Sequence, residues 1–461
     1  MKRKSLADII IVNGDVFTAD KSNPHFCPGA IAIKDGVIEA VGDEKDILPA
    51  FEAASRIDAC LALVHPGFID THLHATGIAY HGAPFAPTDP ADSKLNYSQL
   101  KCSTNEKITA AYTAAAACSL LQRGFTMFME AGTVFETDAF AETLQDCGMR
   151  GLVSAPFGWD DIAAMLKRWP GMMPEQLVDR APADADRTLD QLNKELKRNM
   201  ADDGLVRGYV CLYGEGTATD DLTKEAVKLA RDNGVVYYQH QSFLPVFAEA
   251  EKKARGDTGA VRLNRLGALD TNTTLAHMNY LSEEDVDILL ATRPGLVWCP
   301  NNGLNHGVTP PHRCWFPSLH RQGLSVSLGV DTTLAHPIGI SGLISLYLSA
   351  NIGERLDSAD PFHMQTIAAA NNIGMGDRLG SLTPGKRADI VIRERRDITQ
   401  TSWEDTSGIL LSLSSAMIPV DTVLIDGRVV MAEGRLTTRD QDEILATAIR
   451  QRDKLAERLM Q

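Results

Sequence analysis

Two rhythms of hydrophobic and polar positions alternate along the chain. Residues 8 to 42 run as short alternating stretches separated by tight turns, DIIIVNGDVFT and then AIAIKDGVIEAVGD. Their Asn-Gly and Asp-Gly steps supply the positive φ that two-residue hairpins demand, so this segment predicts a small antiparallel β unit. The same texture returns at Ala388 to Ile392 and in VDTVLIDGRVVMAEGR, Val420 to Arg435. The two ends are expected to form one sheet. From about Val64 to Ala370 the rhythm changes to short apolar runs separated by helical patterns such as KEAVKLARDN and SEEDVDILLATR. The runs are GFIDTHLH, FTMFMEA, GLVSAPF, VRGYVCLY, VVYYQH, TTLAHM, GLVWCP and SVSLGVD. Eight of them in about 300 residues is the arithmetic of a (β/α)8 barrel. An open doubly wound sheet is the competitor, but no G-x-G-x-x-G follows any run.

The expected architecture is an α/β chain: a TIM barrel over 64–380 and a small β-sandwich domain built from 1–63 and 381–436. A helix over 437–461 packs on the outside. Two connections are long, roughly Ala75 to Lys107 and Gly158 to Asp203, and carry Tyr80, Phe85, Tyr97, Trp159 and Trp169. Barrel active sites lie at the C-terminal ends of the strands, which makes such loops natural pocket walls or lids. Outer decoration or an oligomer contact is the alternative.

Charge narrows the choice of partner. Among 461 residues, 45 Lys and Arg stand against 60 Asp and Glu, a net charge of −15, which repels phosphate backbones and anionic membrane surfaces. The densest basic stretch, Arg393, Arg395 and Arg396, is interrupted by Glu394 and followed by Asp397. It reads as a solvated loop or strand edge. Nothing approaches the roughly 20 apolar residues of a membrane span, and the apolar run after Lys2, Arg3 and Lys4 is too short for a signal peptide. The eight cysteines contain no C-x-x-C pair and fit free thiols in a reducing cytosol. A small-molecule substrate and a cytoplasmic location are therefore expected, with neither nucleic acid nor membrane as partner.

Candidate chemistry concentrates in His65-Pro-Gly-Phe-Ile-Asp70-Thr-His72-Leu-His74. In a strand, residues i and i+2 share a face, so His72 and His74 would both enter the barrel mouth. Two imidazoles there each need a polar partner or a metal. His240 closes VVYYQH, His277 ends TTLAHM and Asp331 ends SVSLGVD, so five donors gather at strand ends. Such a set suits one divalent ion, zinc first, with cobalt, iron or manganese also accommodated.

These residues, together with the string Gly380-Ser-Leu-Thr-Pro-Gly-Lys-Arg-Ala-Asp-Ile-Val-Ile392, resemble the metal-dependent amidohydrolase superfamily over nearly the whole chain. Within it the sequence looks like the branch of cytosine and guanine deaminases, triazine hydrolases and phenylurea and molinate hydrolases. The resemblance implies that His72, His74, His240 and Asp331 hold the metal, and that His277 binds the metal or the attacking water. The fourth strand ends in Glu215 where dinuclear relatives carry a carboxylated lysine, so a mononuclear site is expected. Relatives of this kind associate as dimers or tetramers.

One departure weighs on the reaction. Deaminases of the branch carry His-x-x-Glu at the fifth strand, whereas this chain has His240-Gln-Ser-Phe243, and a phenyl ring carries no proton. That favours cleavage of an amide, carbamate, thiocarbamate or urea bond. Hydrolytic deamination of a nucleobase or aminotriazine ring is the alternative, and a non-catalytic relative a minor one. Glu130 and Glu215 are possible proton shuttles. Lowering a water pKa from about 15.7 to about 7 is worth roughly 12 kcal/mol, against some 3 to 5 for one general acid or base. The metal is thus indispensable and the Glu replaceable. In the expected mechanism Asp331 takes the proton of the attacking water and returns it to the leaving group, while His277 steadies the oxyanion. Asn302, Asn305, His306, Trp159 and Phe243 are candidates for holding substrate. His336 is expected near the pocket, and His65, His312 and His320 are read as surface or structural.

Overall fold

A computed structural model describes residues 4–80, 101–161, 163, 166–167, 175–182, 184–201, 204–308, 314–333, 337–394, 398–401 and 405–460. The first strands are β1 (Ser5–Phe17), β2 (His25–Lys34), β3 (Val37–Asp43), β4 (Phe51–Asp58) and β5 (Leu63–Pro66). The middle of the chain gives β6 (Phe68–Leu73), β7 (Phe125–Glu130), β8 (Arg150–Val153), β9 (Val206–Gly208), β10 (Val210–Gly214), β11 (Tyr237–Gln241), β12 (Thr273–His277), β13 (Gly295–Trp298) and β14 (Val326–Leu328). The last strands are β15 (Ile390–Arg393), β16 (Val420–Ile425), β17 (Arg428–Ala432) and β18 (Arg435–Leu436). The eight apolar runs of the sequence all lie on β6 to β14, with β9 and β10 sharing one run.

Among the described residues, both chain ends enter one nine-stranded sheet in the order β18-β17-β16-β15-β5-β1-β2-β3, with β4 also on β1. The sheet is mixed, not antiparallel as expected, because β4 and β5 run parallel to β1. Asp35-Gly36 and Asp426-Gly427 make the anticipated two-residue turns with positive φ. Asn13-Gly14 does not: it lies inside β1, where the register against β2 shifts, and the positive φ of Asn13 serves a bulge instead of a hairpin. Alternation along β1 sends Ile11 to one apolar cluster with Ile31, Ile33 and Ile390, and Ile10 and Val12 to another beneath the helix Glu44–Ala50.

The middle strands form two parallel sheets, β6-β7-β8-β9 and β10-β11-β12-β13-β14. Their edges meet twice. Tyr209 separates β9 from β10; its N–H donates to Val153 on one side, and that of Val210 to Val236 on the other. At the opposite edges Leu73 bridges Asp331, with the Asp331 N–H donating to His72 at 2.7 Å and that of His74 to Asp331 at 3.0 Å. The strands are buried almost throughout, as strands covered on both faces must be. Cys211, Tyr238 and Ala276 face one cluster with Ile69 and Val297, while Leu212, Tyr237 and Leu275 pack against helices. Those helices start on polar caps, Thr219 accepting from Leu222 N–H and Ser282 forming a capping box with Asp285. The final helix, Gln441–Met460, packs Ala448 and Leu455 against Ile108 and Tyr112 of the helix Glu106–Leu121.

Arg393 corrects the reading of the basic stretch. It is fully buried, donating to His65 at 2.8 Å and to the carbonyls of Ile418 and Arg123, so it seams the mixed sheet to the parallel strands. His65, its acceptor, is structural as expected. Arg395 and Arg396 lie outside the described residues. All eight cysteines are free, with Cys27 and Cys60 exposed. No helix among the described residues is long and apolar enough to cross a membrane.

Candidate metal centre

The five donors named from the sequence converge at the C-terminal ends of the parallel strands. Ring centroids of His72 lie 5.2 Å from His74, 4.8 Å from His240 and 4.9 Å from His277. Asp331 sits among them: its Oδ1 is 3.2 Å from His74 Nε2 and 3.7 Å from His72 Nε2, and its Oδ2 is 3.9 Å from His277 Nε2. Ligand atoms of His72, His74 and His240, and likewise of His72, His277 and Asp331, fall within 4.8 Å of one another. All five side chains are buried.

Hydrogen bonds set each imidazole. His74 Nδ1 donates to Thr133 Oγ at 2.8 Å, and that hydroxyl in turn donates to Glu130 Oε1 at 2.8 Å. His240 Nδ1 donates to the Tyr213 carbonyl at 3.1 Å. His72 Nδ1 bonds the Tyr238 hydroxyl, which itself donates to Thr71 O. With Nδ1 carrying the proton in each case, the Nε2 lone pairs point at the shared space. His72 Nε2 and His277 Nδ1 are buried with no hydrogen-bond partner among the described residues. An orphaned His72 Nε2 lying 3.7 Å from a carboxylate oxygen is what a cation would satisfy, so the donor set fits a divalent ion.

Electrostatics agree with that fit. Burial holds His74 and His277 down to about 3 and His240 well below its usual value, so these rings are neutral donors. Asp331 is held from another side as well, Asn302 Nδ2 donating to its Oδ2. Strain marks the same positions. His277 has φ 76° and Asp331 φ 66°, a left-handed region that side chains adopt only when surroundings enforce it. For His277 the consequence is directional. Leu275 packs among helices, so strict alternation would send His277 outward, and the left-handed residue ends the alternation and brings its ring into the cluster. At Gly214 (φ 82°) a Cβ would stand 1.8 Å from His240 O, so only glycine permits this approach of β10 to β11.

The other named residues divide. Phe243 covers His277, ring centroids 4.4 Å apart, and His306 meets Phe243 edge-on at 5.2 Å. Asn302 is buried on Asp331, whereas Asn305 is exposed. Trp159 is fully buried, its Nε1 donating to Pro182 O at 3.0 Å, behind a wall in which Phe157 stacks on Tyr213 at 5.5 Å and Tyr213 lies 5.3 Å from His240. Both oxygens of Glu130 accept from Thr133, at its N–H and its hydroxyl, which ties this carboxylate to His74. Glu215 Oε1 accepts from Phe243 N–H at 2.8 Å, and burial raises its pKa to about 8. His312, His336, Phe85, Tyr97 and Trp169 lie outside the described residues.

Residues to which the sequence reading gave no role also reach the site. Tyr238 and Thr133 orient ligands. Asp70 accepts from His72 N–H at 3.0 Å and Val330 N–H at 3.3 Å, and burial lifts it to about 7. Lys101 is buried, with burial pulling it down to about 8 against the opposing charges of Asp331 and Glu130. Thr133, three residues beyond Glu130 and just past a strand end, carried a positional signal. Tyr238 and Lys101 carried none.

Comparison with known proteins gives this geometry its class. The amidohydrolase family profile matches residues 63–430, and the chain belongs to that family. It is an enzyme of the hydrolase class acting on carbon–nitrogen bonds, with a metal centre of histidines and aspartate. It is 25% identical over 452 residues to a 5-methylthioadenosine/S-adenosylhomocysteine deaminase of Thermodesulfovibrio yellowstonii, covering 94% of this chain and 95% of that protein. The structure of a zinc-bound adenosine deaminase from Xanthomonas campestris matches with a TM-score of 0.85 at 20% identity, covering 99% of this chain and all of the other. An atrazine chlorohydrolase from Arthrobacter aurescens TC1, complexed with zinc, matches with a TM-score of 0.79 at 19% identity over 96% of this chain and all of the other. These likenesses establish an amidohydrolase fold of the TIM-barrel type.

Proposed function

We propose that the chain is a hydrolytic deaminase of an amino-substituted heteroaromatic ring, of the aminopurine nucleoside class. The observation that carries this reading is the similarity, over 94% of this chain, to a deaminase of adenine-bearing nucleosides. The site is compatible with it. Phe243 and the Phe157/Tyr213 stack present aromatic faces beside the metal donors, and a planar ring packs well between such faces.

In this reading the two parallel sheets are one closed (β/α)8 barrel, joined at Tyr209 and at Leu73/Asp331, and the nine-stranded sheet folds over as the β-sandwich. The chain divides near 63/64, 380/381 and 436/437, with Leu63–Pro66 contributing to the sheet. His72, His74, His240 and Asp331 would hold one divalent ion, zinc first, and His277 would either join them or orient the attacking water. The ion supplies Lewis-acid activation of water. Asp331 accepts a proton from the attacking water and delivers it to the departing amine, while Asn302 fixes its carboxylate. His277 steadies the charge that builds as water adds. Glu130 acts through Thr133 to orient His74, and Glu215 anchors the backbone at Phe243. Asn302, Trp159, Phe243 and His306 shape the pocket. The substrate is a small molecule.

Phe243 favours a second reading. Where deaminases of the branch place a carboxylic acid, this chain has a ring against His277, which suits an amide, carbamate or urea whose leaving group departs without ring protonation. Ammonia release by zinc-loaded protein on methylthioadenosine, S-adenosylhomocysteine, adenosine, guanine and an aminotriazine, run beside aniline release from phenylureas and phenylcarbamates, decides between them. Release of aniline alone would overturn the deaminase reading.

A further inference from the structure

In the deaminase reading His277 shares the charge that builds as water adds, and with Phe243 in place of the acid a second donor, toward the acceptor atom of the substrate itself, is unassigned. Glu130 is committed to Thr133 and Glu215 to the backbone of Phe243. A buried cation stands nearby. Lys101 belongs to a connection that carries none of the named metal donors, yet it is only 7% exposed, and its Nζ lies 5.7 Å from the centroid of Phe157, the ring stacked on Tyr213. Its charge acts on His74 and Asp331 at the metal centre and on Glu130 behind it.

The segment carrying Lys101 is clamped in place. Thr104 Oγ bridges Lys101 O at 3.0 Å and Glu136 Oε2 at 3.0 Å, and Arg180 donates to Cys102 O at 2.7 Å and Thr104 O at 3.2 Å. Arg180 pairs with Glu136 and lies 4.1 Å over the Phe135 ring, which stacks on Phe157. The backbone of this segment is thereby fixed, and a positive charge held near the place where negative charge develops stabilises the transition state more than the ground state.

We propose that Lys101 is a catalytic residue: its ammonium donates a hydrogen bond to the acceptor atom, ring nitrogen or oxygen, on which negative charge accumulates as water adds to the substrate. No proton leaves the lysine in this role. The proposal deepens the deaminase reading and rests on it for the identity of that acceptor.

The test compares Lys101→Met and Lys101→Arg with the parent enzyme, all zinc-loaded, on the substrate that the panel above identifies. Lys101→Met should lower kcat by about 10²-fold with a smaller change in KM, and Lys101→Arg should recover part of the loss. Calorimetric binding of a ring-hydrated nucleoside inhibitor should weaken at least tenfold in Lys101→Met, while binding of the deaminated product changes little. Zinc content should stay at the parent level. A Lys101→Met enzyme with kcat within threefold of the parent overturns the proposal, and so does a loss of zinc proportional to the loss of rate. If Lys101→Met does not fold, Lys101→Arg decides through the inhibitor-to-product affinity ratio: a ratio unchanged from the parent overturns the proposal. Should the parent hydrolyse only ureas, the deaminase reading fails on its own, and the variants are then compared on the urea.

Discussion

Thr133 offers the sharpest test of how the metal site is held. Its hydroxyl accepts from His74 Nδ1 and donates to Glu130 Oε1, each at 2.8 Å, and all three side chains are buried. Thr133→Val keeps the shape and removes both bonds, leaving a buried N–H and a buried carboxylate oxygen unsatisfied. Each such orphan costs about 1 to 3 kcal/mol, so the metal-free protein should lose roughly 2 to 6 kcal/mol. Zinc affinity should fall about 10- to 100-fold, the usual effect of removing the partner that orients a metal-bound histidine, which is about 1.4 to 2.7 kcal/mol. Thr133→Ser is the control: it retains the hydroxyl and gives up one methyl group, about 0.8 kcal/mol. Urea unfolding reads the first quantity, and competition with a chromogenic chelator reads the second. If Thr133→Val bound zinc within twofold of Thr133→Ser and unfolded at the same midpoint, the relay from Glu130 to His74 would not be what positions the ligand.

Other consequences are equally concrete. Asp331→Asn should lose zinc and at least 10²- to 10⁴-fold in kcat, and a variant retaining near-normal turnover contradicts the role given to Asp331. Exhaustive chelation should abolish activity and lower the melting temperature, by about 4 kcal/mol of stability if zinc had stood at 1,000 times its Kd; activity that survives in metal-free protein refutes the metal's part. Glu215 supplies a pH signature. Burial raises its pKa from 4.5 to about 8, so the folded state holds a proton that the unfolded chain releases. That contribution is complete below the unfolded value and disappears as pH rises through about 8. Glu215→Gln, which keeps the acceptor for Phe243 N–H, should therefore gain melting temperature relative to the parent between pH 6 and 9, and parallel melting curves across that range would count against it.

What the sequence by itself determined was periodic and local. Each apolar run announced a strand, and the last polar residue of a run announced a side chain at the strand's end, which is why His72, His74, His240 and Asp331 could be named from pattern alone. Both Asp-Gly turns were legible for the same reason: a two-residue turn depends on its own residues. Only the tertiary structure decided what depended on distant neighbours. Asn13-Gly14 has hairpin chemistry but no second strand to turn into, because its partners arrive from β2, β4 and β5. Arg393 looked solvated until the acceptors at His65, Arg123 and Ile418 closed around it. His277 reaches the site by breaking the alternation that predicts every other inward residue of its strand. Thr133, Tyr238 and Lys101 act on ligands 59, 166 and more than 200 positions away in sequence or on the space between them, and no short-range periodicity encodes such a meeting. Backbone preference is set within a few residues; the partner of a buried polar group is set by which strands close on one another.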